Sequence, residues 1–167
     1  AKLFREHGFD GIGVADIMKQ AGLTHGGFYG HFASKGLLAA EMTERILAGG
    51  GWPEHVGGNA NPSIGDAVRE YLSSHHRDDA GHGCIFAALG ADVIRQPRSV
   101  RRAFTEGLRR RLDRLQRLIP GRAAARRRQA VATTAGLVGA IILSRAVDDP
   151  KLSDEILDAT TAALTRG

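Results

Sequence analysis

Apolar residues in this chain recur at intervals of three and four, and almost nowhere at intervals of two. That spacing gathers them on one face of a helix, whereas a half-buried strand needs strict alternation. The chain is therefore expected to be all-α. Val14, Ile17, Met18 and Ala21 mark one such face. Val100, Phe104, Leu108, Leu112, Leu115 and Ile119 carry another through a stretch crowded with arginine. A length of 167 residues with 43% hydrophobic composition is enough for a real core, which excludes a disordered or collagen-like chain. The single cysteine, Cys84, excludes an intrachain disulfide and fits a reducing compartment.

Glycine, proline and capping residues divide the helical pattern. A helix tail over 3–7 closes at Gly8, and a second helix ends at Gly22. Thr24 is placed to cap a short third helix reaching Phe32, with Leu23 and Phe28 spaced as a hydrophobic staple. Ser34 caps a fourth helix to about Ala48. Residues 49–62, rich in glycine, proline and asparagine, read as a linker. Ser63 and Asp66 then form a capping-box pattern ahead of a helix over 64–77. Further helices are expected over 84–95, 98–118, 122–147 and 153–165, separated by Pro97, Pro120-Gly121 and Asp149-Pro150. The expected organisation is 1–48, a linker at 49–62, and a helical remainder at 63–167. Ala1-Lys2-Leu3-Phe4 reads as mid-helix, so the first helix is expected to begin upstream of Ala1. The longest apolar run, 130–143, is shorter than a membrane span, and no signal peptide opens the chain, so a cytoplasmic protein without a membrane partner is expected.

Three short helices in the first stretch, with Gly22 between the second and third, have helix-turn-helix spacing, and a projecting third helix fits a B-DNA major groove. Net charge is +5, but it is unevenly placed. Residues 1–48 hold five basic and five acidic residues, while 95–128 hold thirteen arginines against Glu106 and Asp113. A nucleic-acid role for the first segment must therefore rest on geometry. Gly26 and Gly27 weaken the first turn of the third helix, which makes sense if another surface comes close. Tyr29 and His31 fall on the side away from Phe28 and Phe32, and Thr24 can offer a hydroxyl to a phosphate. Lys35 opens the fourth helix, against its dipole, a placement that suits an anion docked on that terminus.

These residues carry a resemblance. The run from Leu3-Phe4 and Gly8-Phe9 through Ile17, Ala21-Gly22-Leu23-Thr24, Phe28-Tyr29-Gly30-His31-Phe32 and Ser34-Lys35 resembles the DNA-binding domain of the TetR family of bacterial transcriptional regulators. The resemblance covers about a quarter of the chain. It implies that Val14–Phe32 is the helix-turn-helix, that Thr24, Gly27, Tyr29, His31 and Lys35 contact DNA, and that His25 and Gly26 read bases. Gly13 departs from the Ser or Thr that usually caps the second helix. It further implies a C-terminal ligand-binding and dimerisation domain, and hence a ligand-responsive regulator, a repressor released from a double-stranded DNA operator by a small-molecule effector.

The remaining helices give partial physical support. The segment 122–147 is apolar nearly all round, with Gly136, Gly139 and Ala140 among larger residues, so it must be buried on several sides. A homodimer through 122–147 and 153–165 is expected, since such proteins read two half-sites. Tyr71, Phe86, Leu89, Val93, Phe104 and Leu108 are candidate effector contacts, with Trp52 in the linker able to fold over them. An alternative is a metal- or redox-sensing regulator using His75, His76, His82 and Cys84, with Cys84 at a helix start as the redox candidate. The histidine spacing matches no established zinc pattern, so no metal site and no cofactor are assigned. Phosphate-binding loop, nucleophile elbow and HExxH patterns are all missing from the sequence, and no enzymatic role is expected.

Overall fold

A computed structural model describes residues 1–49 and 62–166 of the chain; Trp52 and most of the expected linker lie outside the described residues. Among the described residues the regular structure is entirely helical. Its elements are α1 (Lys2–His7), α2 (Val14–Gln20), α3 (His25–Phe28), α4 (Lys35–Ala48), α5 (Ile64–Tyr71), α6 (Ser74–Asp78), α7 (Ile85–Val93), α8 (Arg98–Leu115), α9 (Ala123–Ala146) and α10 (Pro150–Thr165). The fold is all-α, with an N-terminal helix-turn-helix and a helical C-terminal region, as the spacing predicts.

At four helices the structure departs from the sequence reading by three residues or more. The third helix stops at Phe28 rather than Phe32. The expected helix over 64–77 is two helices, because Ser73 caps α6 by accepting a hydrogen bond from the His76 N–H at 3.2 Å. The helix over 98–118 ends at Leu115. The last helix starts at Pro150, with Asp149 accepting from the Lys151 and Leu152 N–H groups and proline in the first turn, where its missing donor costs nothing. The capping box at Ser63 and Asp66 forms in full.

The described residues pack into two compact units. The first comprises Ala1–Gly49 and Ala80–Gly107; the second takes in the described residues 62–79 and 108–166. The packing units thus alternate along the chain, whereas the division at 49–62 follows chain order. In the first unit α1 packs on α7. Arg5 donates to the Gly81 carbonyl at 2.7 Å, and the Gln96 amide reaches Asp10 at 3.3 Å. Phe4 and Phe9, both buried, meet with ring centroids 5.4 Å apart.

In the second unit α10 packs on α9 and α5, and α6 on α9. Leu112, Leu115, Ile119 and Ala130 form a buried cluster, flanked by Ile64 and Leu108. Arg145 on α9 donates to the carbonyls of His76 at 2.6 Å and Arg77 at 2.7 Å. Arg77 in turn reaches Ser153 at 3.0 Å and Asp154 at 2.6 Å on α10, and Ser153 donates to the Ser144 carbonyl at 2.7 Å. The last carbonyls of α6 and a chain of side chains therefore tie three helices together. By length and composition α9 could cross a membrane. Ala130, Leu137, Ala140 and Ile141 are buried within the protein, which gives its apolarity another cause.

Candidate nucleic-acid interface

The site is built from a turn. Gly13 enters α2 in extended backbone with no side-chain cap, and Ala21 ends it. Gly22 has φ 69°, left-handed backbone that glycine adopts freely. The Leu23 N–H bonds back to the Met18 carbonyl at 2.9 Å, closing the helix end and turning the chain toward α3. Thr24 caps α3, its hydroxyl accepting from the Gly27 N–H at 3.3 Å. Leu23, spaced to staple against Phe28, is instead 54% exposed.

Phe28 is the root of the element, 1% exposed. The periodicity that suggests a helix to Phe32 reflects a ring stack rather than continued helix. The His31 and Phe32 N–H groups both bond to the Phe28 carbonyl at 2.9 Å, and this turn stacks the Phe32 ring 5.8 Å from that of Phe28, with the planes inclined by 30°. The same turn sends Tyr29 outward. It is 62% exposed, with its ring edge-on to Phe28 at 5.2 Å and to His25 at 5.9 Å.

Thr24, His25, Gly26, Gly27, Tyr29 and His31 are all exposed, and Lys35 is partly buried. A Cβ placed on Gly26 would meet nothing within 4 Å, so no intramolecular packing demands glycine there. Gly27 differs, since a Cβ would lie 3.4 Å from the Thr24 hydroxyl that caps the helix. Ser34 caps α4, accepting from the Leu37 N–H at 3.2 Å. The first turn of α4 contains no acidic residue, and Lys35 sits at its first position. A helix start of this kind, with N–H groups lacking intrahelical partners and a cation alongside, can hold an anion.

The other candidates are placed as follows. Phe86, Leu89 and Val93 are buried on α7, and Phe86 meets Phe104 with centroids 4.8 Å apart; these belong to the first unit. Tyr71 and Leu108 belong to the second. Tyr71 is 3% exposed, and Arg111, itself 5% exposed, lies over its ring at 5.0 Å. The sequence carries a signal for the burial of Arg111, which falls three residues after Leu108, on the inward stripe of α8. Cys84 is partly buried at the N-cap of α7. Among the described residues no group of three or more His, Cys, Asp or Glu comes together as a metal site requires. His76 instead directs its Nδ1–H to the Tyr71 carbonyl at 2.6 Å, while His75 and His82 are exposed.

The arrangement of α2, the Gly22 turn and α3 is that of a helix-turn-helix. Residues 1–42 match the sequence model of bacterial regulatory proteins of the tetR family. No curated protein matches it in sequence. Among solved structures, the reduced form of E. coli NemR is similar at TM-score 0.76 and 22% identity, over 98% of this chain and 90% of that one. A transcriptional regulator of the TetR family from Agrobacterium tumefaciens is similar at TM-score 0.74 and 20% identity, over 97% of this chain and 91% of that one. These likenesses concern the fold.

Proposed function

We propose that the chain is a homodimeric, ligand-responsive transcriptional regulator, a repressor that leaves its operator when a small molecule binds the helices beyond the linker. The observation that carries the reading is the bare, projecting element at 24–31. It exposes Tyr29 and His25 on a rooted turn, and at Gly26 leaves space that no described residue fills. In this role Thr24, Gly27, Tyr29, His31 and Lys35 hold the phosphate backbone, while His25 and the Gly26 backbone face base edges. Backbone contacts fix register; His25 supplies sequence preference.

The dimer is assigned to α9 and α10. On α9, Val131, Ala135, Ile142 and Ala146 fall on one exposed apolar face, and a Cβ on Gly139 would meet nothing within 4 Å. On α10, Leu152 is 42% exposed. A two-fold partner covering this face would present two recognition elements to half-sites about 34–36 Å apart or a multiple of it. An effector then acts by favouring dimers with a different spacing, a coupling of typically about 1–3 kcal/mol. Selection of bound fragments from random duplex DNA tests the reading: a two-fold symmetric sequence is expected, and enrichment of none would overturn it.

A further inference from the structure

We infer that Tyr29 is a positioning residue for His25, and that its ring, apart from its hydroxyl, sets which base His25 prefers. The inference rests on the DNA-binding reading above. A helix of only four residues, two of them glycine, cannot by itself hold an exposed side chain in one place. The structure supplies another means. Phe28, 1% exposed, is fixed in the interior, and the Tyr29 ring stands edge-on to it at 89° and 5.2 Å. The His25 imidazole then stands edge-on to Tyr29 at 78° and 5.9 Å. Both separations and both angles fall in the favoured range for edge-to-face pairs. His25 and Tyr29 are four residues apart, the spacing at which helical side chains meet. A path of ring contacts thus runs from a buried anchor to the exposed imidazole. Preorganised in this way, His25 loses little conformational freedom on meeting a base edge.

This role differs from a hydroxyl donated to a phosphate, and three variants of the full chain separate them. Tyr29→Phe keeps the ring and removes the hydroxyl; Tyr29→Leu removes both; His25→Ala removes the reader. Because Tyr29 is 62% exposed, neither replacement at that position opens the core. In the free protein, the His25 ring protons are expected to shift in the NMR spectrum of Tyr29→Leu and to stay in place in Tyr29→Phe. With the randomised duplex pool, Tyr29→Phe should weaken binding evenly across sequences. Tyr29→Leu should flatten preference by about two- to tenfold at the same base positions as His25→Ala. Adding His25→Ala to Tyr29→Leu should flatten it no further. Unchanged His25 shifts in Tyr29→Leu, or preferences whose losses multiply in the double variant, would overturn the inference while leaving the regulator reading intact. A wild-type chain that selects no sequence would overturn that reading, and with it the role given to His25.

Discussion

A Cβ placed on Gly107 would lie 2.7 Å from the Cβ of Leu47 and 2.8 Å from its Cγ, so α8 and α4 meet there at a separation that only glycine permits. Leu47 is 6% exposed and cannot swing out without opening the interior. Glycine in mid-helix costs about 1 kcal/mol relative to alanine, and ordinarily the replacement would stabilise. Here the expected result is the reverse. Gly107→Ala should lower stability by about 1–3 kcal/mol through overpacking. Urea unfolding checks it, and combining Gly107→Ala with Leu47→Ala should cost less than the sum of the two, because the smaller side chain makes room.

Gly26 is the contrasting case. Its Cβ would meet open space, and no left-handed φ is involved. Gly26→Ala is therefore expected to leave the fold as stable or to stabilise it by about 0.5 kcal/mol, by restricting the unfolded chain. On the proposed reading operator affinity should fall nonetheless, since the added methyl group would occupy the surface assigned to the groove. A melting temperature that is kept or raised, alongside weaker DNA binding in a mobility-shift titration, is the expected pair of results.

Lys35, at the first position of α4, tests the backbone contact. Lys35→Ala should weaken binding to every duplex alike and reduce the slope of log affinity against log salt by about one. Titrations at several salt concentrations read this directly. An unchanged slope would remove Lys35 from the phosphate contacts.

The sequence showed most of the fold through apolar spacing and caps. Thr24, Ser34 and Ser63 all cap the helices that their positions suggest. Sequence and structure part where one pattern has two physical causes. The interval from Phe28 to Phe32 satisfies helical periodicity, but a turn produces the same ring stack. Ser73 lies inside an amphipathic run, and its capping role became visible only once α5 had ended at Tyr71. The joining of Ala80–Gly107 with the N-terminal helices was not legible at all. It depends on contacts such as Arg5 with Gly81, distant in sequence and without local signature. At the candidate interface the residue types were readable, whereas the ring path from Phe28 through Tyr29 to His25 required coordinates.

The apolar face of α9 carries the next expectation. Val131 is 47% exposed and Ile142 39%, with no charged residue between Gln129 and Ser144. If a second copy covers this face, a charge placed on it must be buried in the dimer and left unpaired. Ile142→Glu is expected to shift the protein from dimer to monomer in sedimentation equilibrium, with helix content retained. Operator affinity should fall with it, because one half-site cannot replace two.

His76 makes the stability of the second unit depend on pH. Burial lowers its pKa from the ordinary value near 6.5; its hydrogen bond to the Tyr71 carbonyl opposes this, and Arg145, Arg111 and His75 lower it further. A carbonyl only accepts, so the neutral ring carries its proton on Nδ1, with its edge against Tyr71 at 4.5 Å. The folded-state value thus lies below the unfolded one, and the unfolded chain takes up the proton first. Stability is fully present above the unfolded value and is lost as pH falls toward the folded one. Urea midpoints should therefore drop between about pH 7.5 and about pH 5.5. His76→Gln retains a donor that can reach the Tyr71 carbonyl but does not titrate, and it should flatten that dependence. If the slope persists in His76→Gln, the sensitivity belongs to another titrating group, such as the Ala1 amine, whose pKa burial lowers.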